Sequence, residues 1–243
     1  MSNERLDKLL ASTGRWSRGE AKRLVREGRV RADGSIAASA EEKYDAQTVA
    51  LAVDGEAVPL RRHVYVMLHK PAGVLSATED GRGRTVLDLL PDEYKKRGVF
   101  PVGRLDKDAE GLLLLTDDGA LAHALLAPKR HVDKLYRVRV DGTLDDADRA
   151  AFAAGMTLGA LRCMPAELEP VAPDTALVTL REGKFHQLKR MFAARGKPVR
   201  YLKRIAMGTL TLDGALAPGE WRELTAAELE RLQSASCPTD FAR

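Results

Sequence analysis

Apolar residues recur at helical spacing near the start of the chain. In RLDKLLASTG the three leucines share one face of a helix predicted over 4–13, and Gly14 follows where a left-handed C-terminal cap is expected. A second helix is predicted to begin at Ser17, because Ser17 and Glu20 have the spacing of a capping box. This helix is expected to end at Gly28.

Alternating apolar and polar residues predict strands in most of the remaining chain. TVALAVDGEAV is typical of two short strands joined by an Asp-Gly turn, and HVYVMLHK is also strand-like. In KLYRVRV, Tyr136, Val138 and Val140 share one face, whereas Arg137 and Arg139 share the other. Such alternation indicates antiparallel sheet with one solvated face. We therefore expect an α+β protein, divided near the polar stretch PLRRH at 59–63.

Basic residues are concentrated in two blocks. Residues 1–31 hold nine Lys or Arg against four acids, and residues 181–204 hold nine against one, although the net charge of the whole chain is only +4. On the second predicted helix Arg18, Lys22 and Arg26 recur every four residues and form one ridge. Clustered cations of this kind indicate a polyanionic partner, with solvated helix faces as the alternative.

Composition excludes several classes of protein. The chain has 243 residues, of which 44% are hydrophobic and 30% charged, which is enough for a buried core and one or two domains. Its longest aliphatic run, at 112–115, is far too short for a membrane span, and we expect a cytoplasmic protein. Cys163 and Cys237 are far apart and near no cluster of metal ligands, so reduced thiols are expected and no disulfide or zinc site.

The stretch GRLDKDAEGLLLLTDDG carries several carboxylates, and three uses are open for them. Asp106, Asp108, Glu110, Gly111 and Asp117 fall at positions one, three, five, six and twelve of a calcium loop. Against calcium, the preceding GVFPVGRL is a poor helix, the leucine run is typical of a buried strand, and the last ligand is not glutamate. Acids in such a stretch also commonly cap turns or face solvent, which is the interpretation preferred for all except Asp106.

The N-terminal segment resembles a known RNA-binding module. RLDKLLASTG…SRGEAKRLVREGRVRADG is similar to the alpha-L RNA-binding domain of ribosomal-protein type over residues 3 to about 58. The resemblance implies an RNA-binding domain over 1–60, in which helices and a few strands present a basic face. The candidate RNA contacts in it are Arg5, Lys8, Arg15, Arg18, Lys22, Arg23, Arg26 and Arg29.

The rest of the chain resembles the pseudouridine synthases. GRLDxDxxGLLLLTxDG is the form that the family's second motif takes in its RsuA-like branch, and HKPAGVLS, KLYRV and EGKFHQLKRMF resemble its other motifs in the same order. PGEWREL is a further feature of the branch. The resemblance implies a catalytic domain over 61–243, built on a mixed, mainly antiparallel sheet flanked by helices.

The resemblance also implies roles for individual residues. Asp106 takes the position of the single catalytic aspartate, and Arg104 that of an arginine which fills the space left by a flipped-out base. Tyr136 corresponds to the ring that lies against the uracil, although a core tyrosine is the alternative. Because uridine is isomerised without oxidation or loss of atoms, no cofactor or metal is implied.

An ionised aspartate in a closed pocket requires a cation, and HQLKR offers two candidates. Phe185, Leu188, Met191 and Phe192 are spaced as the buried stripe of a helix that ends at Gly196. Lys189 borders this stripe, whereas Arg190 points away from it. We therefore expect Lys189 to pair with Asp106 and Arg190 to contact RNA. The neighbouring His186 is expected to be structural.

The sequence thus predicts a monomeric RNA pseudouridine synthase that acts on 16S ribosomal RNA of the small subunit. A synthase for 23S ribosomal RNA of the large subunit is one alternative. A non-catalytic RNA-binding factor for ribosome assembly is another, but such a factor has no physical need to keep Asp106 beside a cation.

Overall fold

A computed structural model describes residues 3–127 and 132–236. The described chain forms two compact units. One contains the residues up to Val64 together with Leu90–Val99, and the other contains Tyr65–Leu89 and the residues from Phe100 onward. Cys237 lies outside the described residues, whereas Cys163 is buried.

The first unit combines short helices with short strands. Its elements are β1 (Asn3–Arg5), α1 (Leu6–Ser12), α2 (Arg18–Arg26), β2 (Val30–Ala32), β3 (Ser35–Ile36), β4 (Lys43–Asp45), β5 (Leu51–Val53), β6 (Glu56–Val58) and α3 (Asp92–Lys96). Strands β3, β2, β5 and β6 form a sheet in that order, and β1 pairs with β4. Leucines of α1 and α2 and valines of the sheet form its core.

The two predicted helices of this unit are confirmed, with slightly shorter bounds. Ser17 caps α2, because its hydroxyl accepts from the amide of Glu20 while the Glu20 carboxylate accepts from the amide of Ser17. Gly14 and Gly28, which follow the two helices, both have positive φ. The Asp-Gly turn between β5 and β6 is also confirmed.

The second unit contains most of the strands. Its elements are β7 (Tyr65–Lys70), a 3₁₀ turn (Val86–Leu89), β8 (Phe100–Pro101), β9 (Glu110–Thr116), α4 (Gly119–Leu126), β10 (Lys134–Val140), α5 (Asp146–Ala154), β11 (Thr157–Leu158), β12 (Leu161–Arg162), β13 (Glu167–Ala172), β14 (Thr175–Leu180), α6 (Gln187–Ala194), β15 (Val199–Met207), β16 (Leu210–Thr211), β17 (Trp221–Glu223) and α7 (Ala226–Ser236).

A mixed, mainly antiparallel sheet dominates the second unit, as the sequence predicted. Its order is β13-β14-β10-β15-β9-β7-β17, with β16 beside β15 and β8 beside β9. Among the described strands, β9 and β15 form the parallel pair. Tyr136, Val138 and Val140 of β10 are buried and the arginines between them are exposed, which confirms the predicted alternation.

A close approach of two backbones shapes the strand that follows the carboxylate loop. Gly111 lies at φ +106°, and a Cβ placed there would be 2.1 Å from the carbonyl oxygen of Arg204 on β15. Only glycine fits such a contact without displacing the backbone. Gly111 therefore fixes how closely β9 and β15 approach directly after the Asp106 loop.

The helix predicted around Phe185 is partly wrong. α6 begins at Gln187, one residue after His186, whose φ of 50° is in the left-handed region. Leu188, Met191 and Phe192 are buried as predicted, but Phe185 lies outside the helix and is exposed. The backbone turn at His186 interrupts the periodicity that a continuous helix would need.

In the described parts of the chain, no helix is both long and apolar enough to cross a membrane.

A buried carboxylate joins α5 to the chain that leaves α6. Asp148 of α5 is fully buried, and its carboxylate is 2.8 Å from Nε of Arg195 and also bonds Lys197, both of which follow α6. Lys197 also pairs with Asp145 at 2.9 Å. Burial alone would raise the pKa of Asp148, but the hydrogen bonds from Lys197 and Arg195 outweigh it and lower the pKa.

We predict that Asp148→Asn lowers the free energy of unfolding at pH 7 by about 3 kcal/mol, because two cations lose their buried partner. A carboxyl group with a lowered folded-state pKa stabilises the fold above the unfolded-state pKa of about 4, and this contribution is lost as pH falls. The variant should therefore lose less stability than the wild type between pH 6 and pH 3. Urea unfolding across this range measures both effects.

The matched control is Asp146→Asn on the same helix. The Asp146 carboxylate is 98% exposed and 3.6 Å from Arg149, so its loss should change stability by less than about 0.5 kcal/mol. An equal effect of the two substitutions would contradict the role assigned to Asp148.

Candidate functional site

A cavity open to solvent lies where three segments of the second unit meet. The loop before β9 contributes Arg104 and Asp106, β10 contributes Tyr136, and the segment that leads into α6 contributes His186 and Gln187. These segments meet because β9, β15 and β10 are neighbours in the sheet and α6 directly precedes β15. Leucines complete the lining, so the cavity combines an apolar floor with a carboxylate.

The carboxylate of Asp106 faces the ammonium group of Lys189. Nζ of Lys189 is 3.0 Å from Oδ2 of Asp106, and the two side chains are 24% and 22% exposed. Burial alone would lower the pKa of Lys189, but hydrogen bonds to Asp108 and Asp106 outweigh it and raise the pKa. The lysine therefore stays protonated through neutral pH and holds a charged pair at the edge of the cavity.

Asp108 faces solvent, as the sequence suggested, but it also pairs with Lys189. Its Oδ1 is 2.5 Å from Nζ of Lys189, and this ion pair lowers the pKa of Asp108. The Asp108 side chain is 73% exposed, so it remains hydrated while it holds the lysine. Lys189 is thus shared between two carboxylates, of which Asp106 is the one that lines the cavity.

The geometry of β9 excludes the calcium loop. Residues 110–116 run as an extended strand paired with β7, and the Glu110 carboxylate accepts from the hydroxyl of Tyr201 at 2.9 Å. Asp117 therefore lies about 23 Å along the chain from Glu110, at about 3.3 Å per residue. Asp118 caps α4 by accepting from the amide of Leu121, as expected for a turn residue. These carboxylates cannot converge on one cation.

The motif HKPAGVLS holds the Asp106 loop in place, a function that sequence reasoning missed. Lys70 is fully buried, and its ammonium group donates to the carbonyl oxygens of Lys107 and Ala109 at 3.2 and 2.8 Å. The hydroxyl of Ser76 donates to the carbonyl of Leu105 and accepts from its amide. The backbone on both sides of Asp106 is therefore fixed by side chains of one other segment.

Lys70 is a buried cation close to Asp106 and Asp108. Burial lowers the pKa of Lys70 to about 8, although attraction to Asp108 and Asp106 opposes this shift. It remains largely protonated at neutral pH and places positive charge behind the carboxylate loop. The sequence signal for this buried cation was a lysine at the end of an apolar strand, directly before Pro71.

The other residues predicted for the site lie as follows. Tyr136 is buried and lines the cavity beside Asp106, and Arg104 lines it from an exposed position. His186 was expected to be structural, yet it is 43% exposed, lines the cavity and has Nε2 3.6 Å from Oδ1 of Asp106. Arg190 is exposed and donates to the carbonyl of Leu158 rather than to any residue of the cavity.

The predicted RNA contacts of the first unit fall into two groups. Five of them lie within 4 Å of a carboxylate: Arg5 with Asp7 and Glu41, Lys8 with Glu4, Lys22 with Asp7, Arg23 with Glu27, and Arg29 with Asp54 and Glu27. Arg15, Arg18 and Arg26 are exposed, and in the described part of the chain none of them forms an ion pair. The predicted ridge on α2 thus contains two unpaired arginines, and Arg15 precedes them.

Most cations of the second basic block are paired with carboxylates in the fold. Six of its nine cations are within 4 Å of carboxylates: Arg181, Lys184, Lys189, Arg195, Lys197 and Arg200. Arg204 is buried and donates to the carbonyl of Leu112. Most of the charge of this block is therefore paired within the second unit.

Two family models match the chain. Residues 64–194 match the RNA pseudouridylate synthase family, and residues 4–49 match the S4 domain. A solved structure described as a pseudouridylate synthase is 34% identical in sequence and superposes with a TM-score of 0.66, covering 94% of this chain and 99% of its own.

Curated relatives match over nearly the full length. An uncharacterized RNA pseudouridine synthase of Bacillus subtilis is 48% identical over 233 residues, which is 94% of this chain and 98% of the relative. Two proteins named ribosomal small subunit pseudouridine synthase A are also similar. The one from Vibrio cholerae is 40% identical, covering 93% of this chain and 97% of its own, and the one from Pseudomonas aeruginosa is 38% identical, covering 93% and 98%.

We predict that replacing Arg15, Arg18 and Arg26 together by Ala weakens binding to structured RNA and reduces the slope of log K against log salt by about two to three units. Each unpaired arginine that contacts a phosphate contributes about 0.7 to 0.9 to this slope. Filter binding of an RNA transcript between 50 and 300 mM salt measures it.

The matched control replaces three paired cations, Lys8, Arg23 and Arg29, by Ala. These should change the slope by less than about one unit, because their fields are already offset by carboxylates. Equal slopes for the two triple variants would show that pairing does not decide which cations contact RNA.

Proposed function

Because this chain belongs to the RNA pseudouridylate synthase family, we propose that it isomerises one uridine of 16S ribosomal RNA to pseudouridine. The chain is a pseudouridine synthase, since the family model covers more than half of it and the relatives match nearly end to end. Relatives at 38–40% identity that are named for the small ribosomal subunit support the choice of that subunit over the large one. The carboxylate of Asp106 in the cavity is the observation that supports the chemistry.

The reaction needs one carboxylate and no external reactant. The bond from the ribose carbon to N1 of uracil breaks, the base turns, and the same carbon bonds C5, which then loses its proton while N1 regains one. Asp106 lines the cavity and can stabilise the positive charge that develops on the ribose, either electrostatically or by forming a bond to it. Since no atom leaves and nothing is oxidised, we propose that no cofactor takes part.

Three further side chains support this role. The ammonium group of Lys189 lies 3.0 Å from the Asp106 carboxylate and orients it, so that the carboxylate is available to the sugar. The ring of Tyr136 forms part of the buried wall, where a uracil can pack against it. Arg104 lies exposed at the rim and is placed to contact phosphate near a flipped-out nucleotide.

We propose that residues 1–60 bind ribosomal RNA and that residues 61–243 carry out catalysis. The S4 model at 4–49 and the unpaired arginines of the first unit support the first assignment. Since Asp106, Tyr136 and Lys189, the residues assigned to the reaction, come together within one chain, we propose that the enzyme acts as a monomer. Its ribosomal RNA substrate favours a cytoplasmic location.

We predict that deleting the protein removes one pseudouridine from 16S ribosomal RNA and none from 23S, and that the wild-type chain restores it but Asp106→Asn does not. The amide has the shape of the carboxylate without its charge, so turnover should fall below detection while RNA affinity stays within about threefold. Carbodiimide mapping of both RNAs measures the modification. A pseudouridine lost from 23S instead would contradict the subunit, and activity of Asp106→Asn would contradict the catalytic residue.

We predict that Lys189→Met lowers the single-turnover rate by about 10²- to 10³-fold, because Asp106 loses the cation that faces it. Lys189→Arg should stay within about tenfold of the wild type, since it keeps the charge. Arg190→Met is the control on the same helix, because Arg190 bonds a backbone carbonyl and should leave the rate within about threefold. Rapid-quench measurement of the conversion of an RNA fragment compares the three variants. A larger loss of rate in Arg190→Met than in Lys189→Met would show that Lys189 is not the partner of Asp106.

A further inference from the structure

An aromatic side chain stands in solvent next to the cavity. Phe185 is 71% exposed, which makes it the most exposed large apolar side chain among the described residues. Its ring stacks on that of His186, with centroids 3.9 Å apart and planes inclined by 18°. His186 lines the cavity, so the two rings form a short stack whose inner member borders the site and whose outer member is open.

The loop that carries this stack is held firmly. The buried amide group of Gln187 accepts from the backbone N–H of Lys184 at 3.1 Å and donates to the Glu182 carboxylate at 2.6 Å. The backbone N–H of Gln187 also donates to the backbone carbonyl of Lys184. Glu182 in turn accepts from the amide of Met164. An exposed phenylalanine on a braced loop is pre-organised for contact and loses little conformational entropy on binding.

The backbone beside the phenylalanine is also unusual. His186 has φ of 50° and ψ of 33°, a left-handed conformation that β-carbon-bearing residues rarely adopt. Strained backbone persists where the surrounding contacts enforce it, and it concentrates at binding sites. The left-handed conformation of His186 turns the chain immediately before α6. Phe185 therefore lies outside the helix, and its ring is exposed instead of buried in the core.

We propose that the open face of Phe185 stacks on an unpaired base that neighbours the target uridine in the RNA. The proposal rests on the RNA substrate of the proposed function but not on the choice of ribosomal subunit. A target base that occupies the cavity beside Tyr136 leaves its neighbours unstacked, and a planar apolar ring is what an unstacked base packs against. The stack of His186 and Phe185 extends only two rings from the cavity. A nucleotide next to the target uridine can therefore reach its outer face.

The residues around the stack fit a nucleic acid better than an apolar partner. Arg104 lies exposed at the same cavity and, among the described residues, no carboxylate pairs with it, so a cation is available where a phosphate would run. Since stacking uses the π-face that every base has, Phe185 contributes affinity and positioning without selecting one base. Phe185 would thus act on substrate binding and not on bond cleavage.

The test compares Phe185→Ala, Phe185→Leu and Phe185→Tyr on a ribosomal RNA fragment in which the wild-type protein forms pseudouridine, taken from whichever subunit is modified. Phe185→Ala should raise the RNA concentration for half-maximal single-turnover rate by about 5- to 100-fold. The maximal rate should stay within about threefold. Phe185→Tyr should match the wild type, and Phe185→Leu should resemble Phe185→Ala, because apolarity without a ring is not sufficient.

Val171→Ala is the matched control. Val171 is also a large apolar residue and is 51% exposed, but it does not line the described cavity. Its replacement should change neither the half-saturating RNA concentration nor the maximal rate. Since Phe185 is exposed, thermal unfolding of its variants should coincide with that of the wild type.

Abasic nucleotides locate the partner base. Fragments that carry one abasic site at each of the positions flanking the target are tested with the wild type and with Phe185→Ala. At one position, loss of the base should weaken the wild type by the same factor as Phe185→Ala and should not weaken that variant further. The proposal is overturned if the two losses multiply at every position, if Phe185→Leu equals the wild type, or if Phe185→Ala lowers the maximal rate with unchanged half-saturation.

Failure of the subunit assignment can be distinguished from failure of this inference. If the wild-type protein modifies 23S and not 16S ribosomal RNA, the proposed target is wrong, yet the same variants and abasic fragments decide the role of Phe185 on the RNA that is modified.

Discussion

The ion pair between Asp106 and Lys189 is the interaction on which the rest of the site depends. Both groups lose about three quarters of their exposure to water, and burial of a charged group without a partner costs free energy. Their attraction offsets this desolvation only if each is fixed at bonding distance, so the loop that carries Asp106 and the helix that carries Lys189 must both be rigid. Asp108 adds a second, hydrated carboxylate, which keeps the lysine in place if Asp106 engages a substrate.

The two supports of this pair are built differently. Backbone groups around Asp106 are held by a buried ammonium group and a hydroxyl from the HKPAGVLS segment, and Gly111 lets β9 lie against β15 directly after the loop. The helix of Lys189 is held instead by apolar packing of Phe192 on Phe152, at 4.7 Å between ring centroids, and by the carboxylate of Asp148. The pair therefore links a loop held by hydrogen bonds to its backbone with a helix held by aromatic packing and a buried ion pair.

Periodicity predicted the elements whose side chains alternate without interruption. The helix capped by Ser17 and the strand that carries Tyr136 lie where the pattern placed them, because local hydrogen bonds and burial agree there. The pattern failed at Phe185. The spacing of apolar residues does not reveal the left-handed backbone conformation of His186, and the phenylalanine that continued the predicted buried stripe lies in solvent. The brace by Lys70 and the contact of Asp108 were also missed, because both join residues that are distant in sequence.

Charge counting indicated a polyanionic partner, but it does not show which cations are open to that partner. A block of nine cations against one acid suggested a surface for RNA, but the fold brings carboxylates from other segments to six of them. A cation whose field is already offset has few counterions to release, and so it contributes little to phosphate binding. The charges available to RNA are those that the fold leaves unpaired, such as Arg18 and Arg26 on α2. We therefore propose that affinity for the RNA backbone and chemistry at the ribose rest on different cations, so that one can be altered without the other.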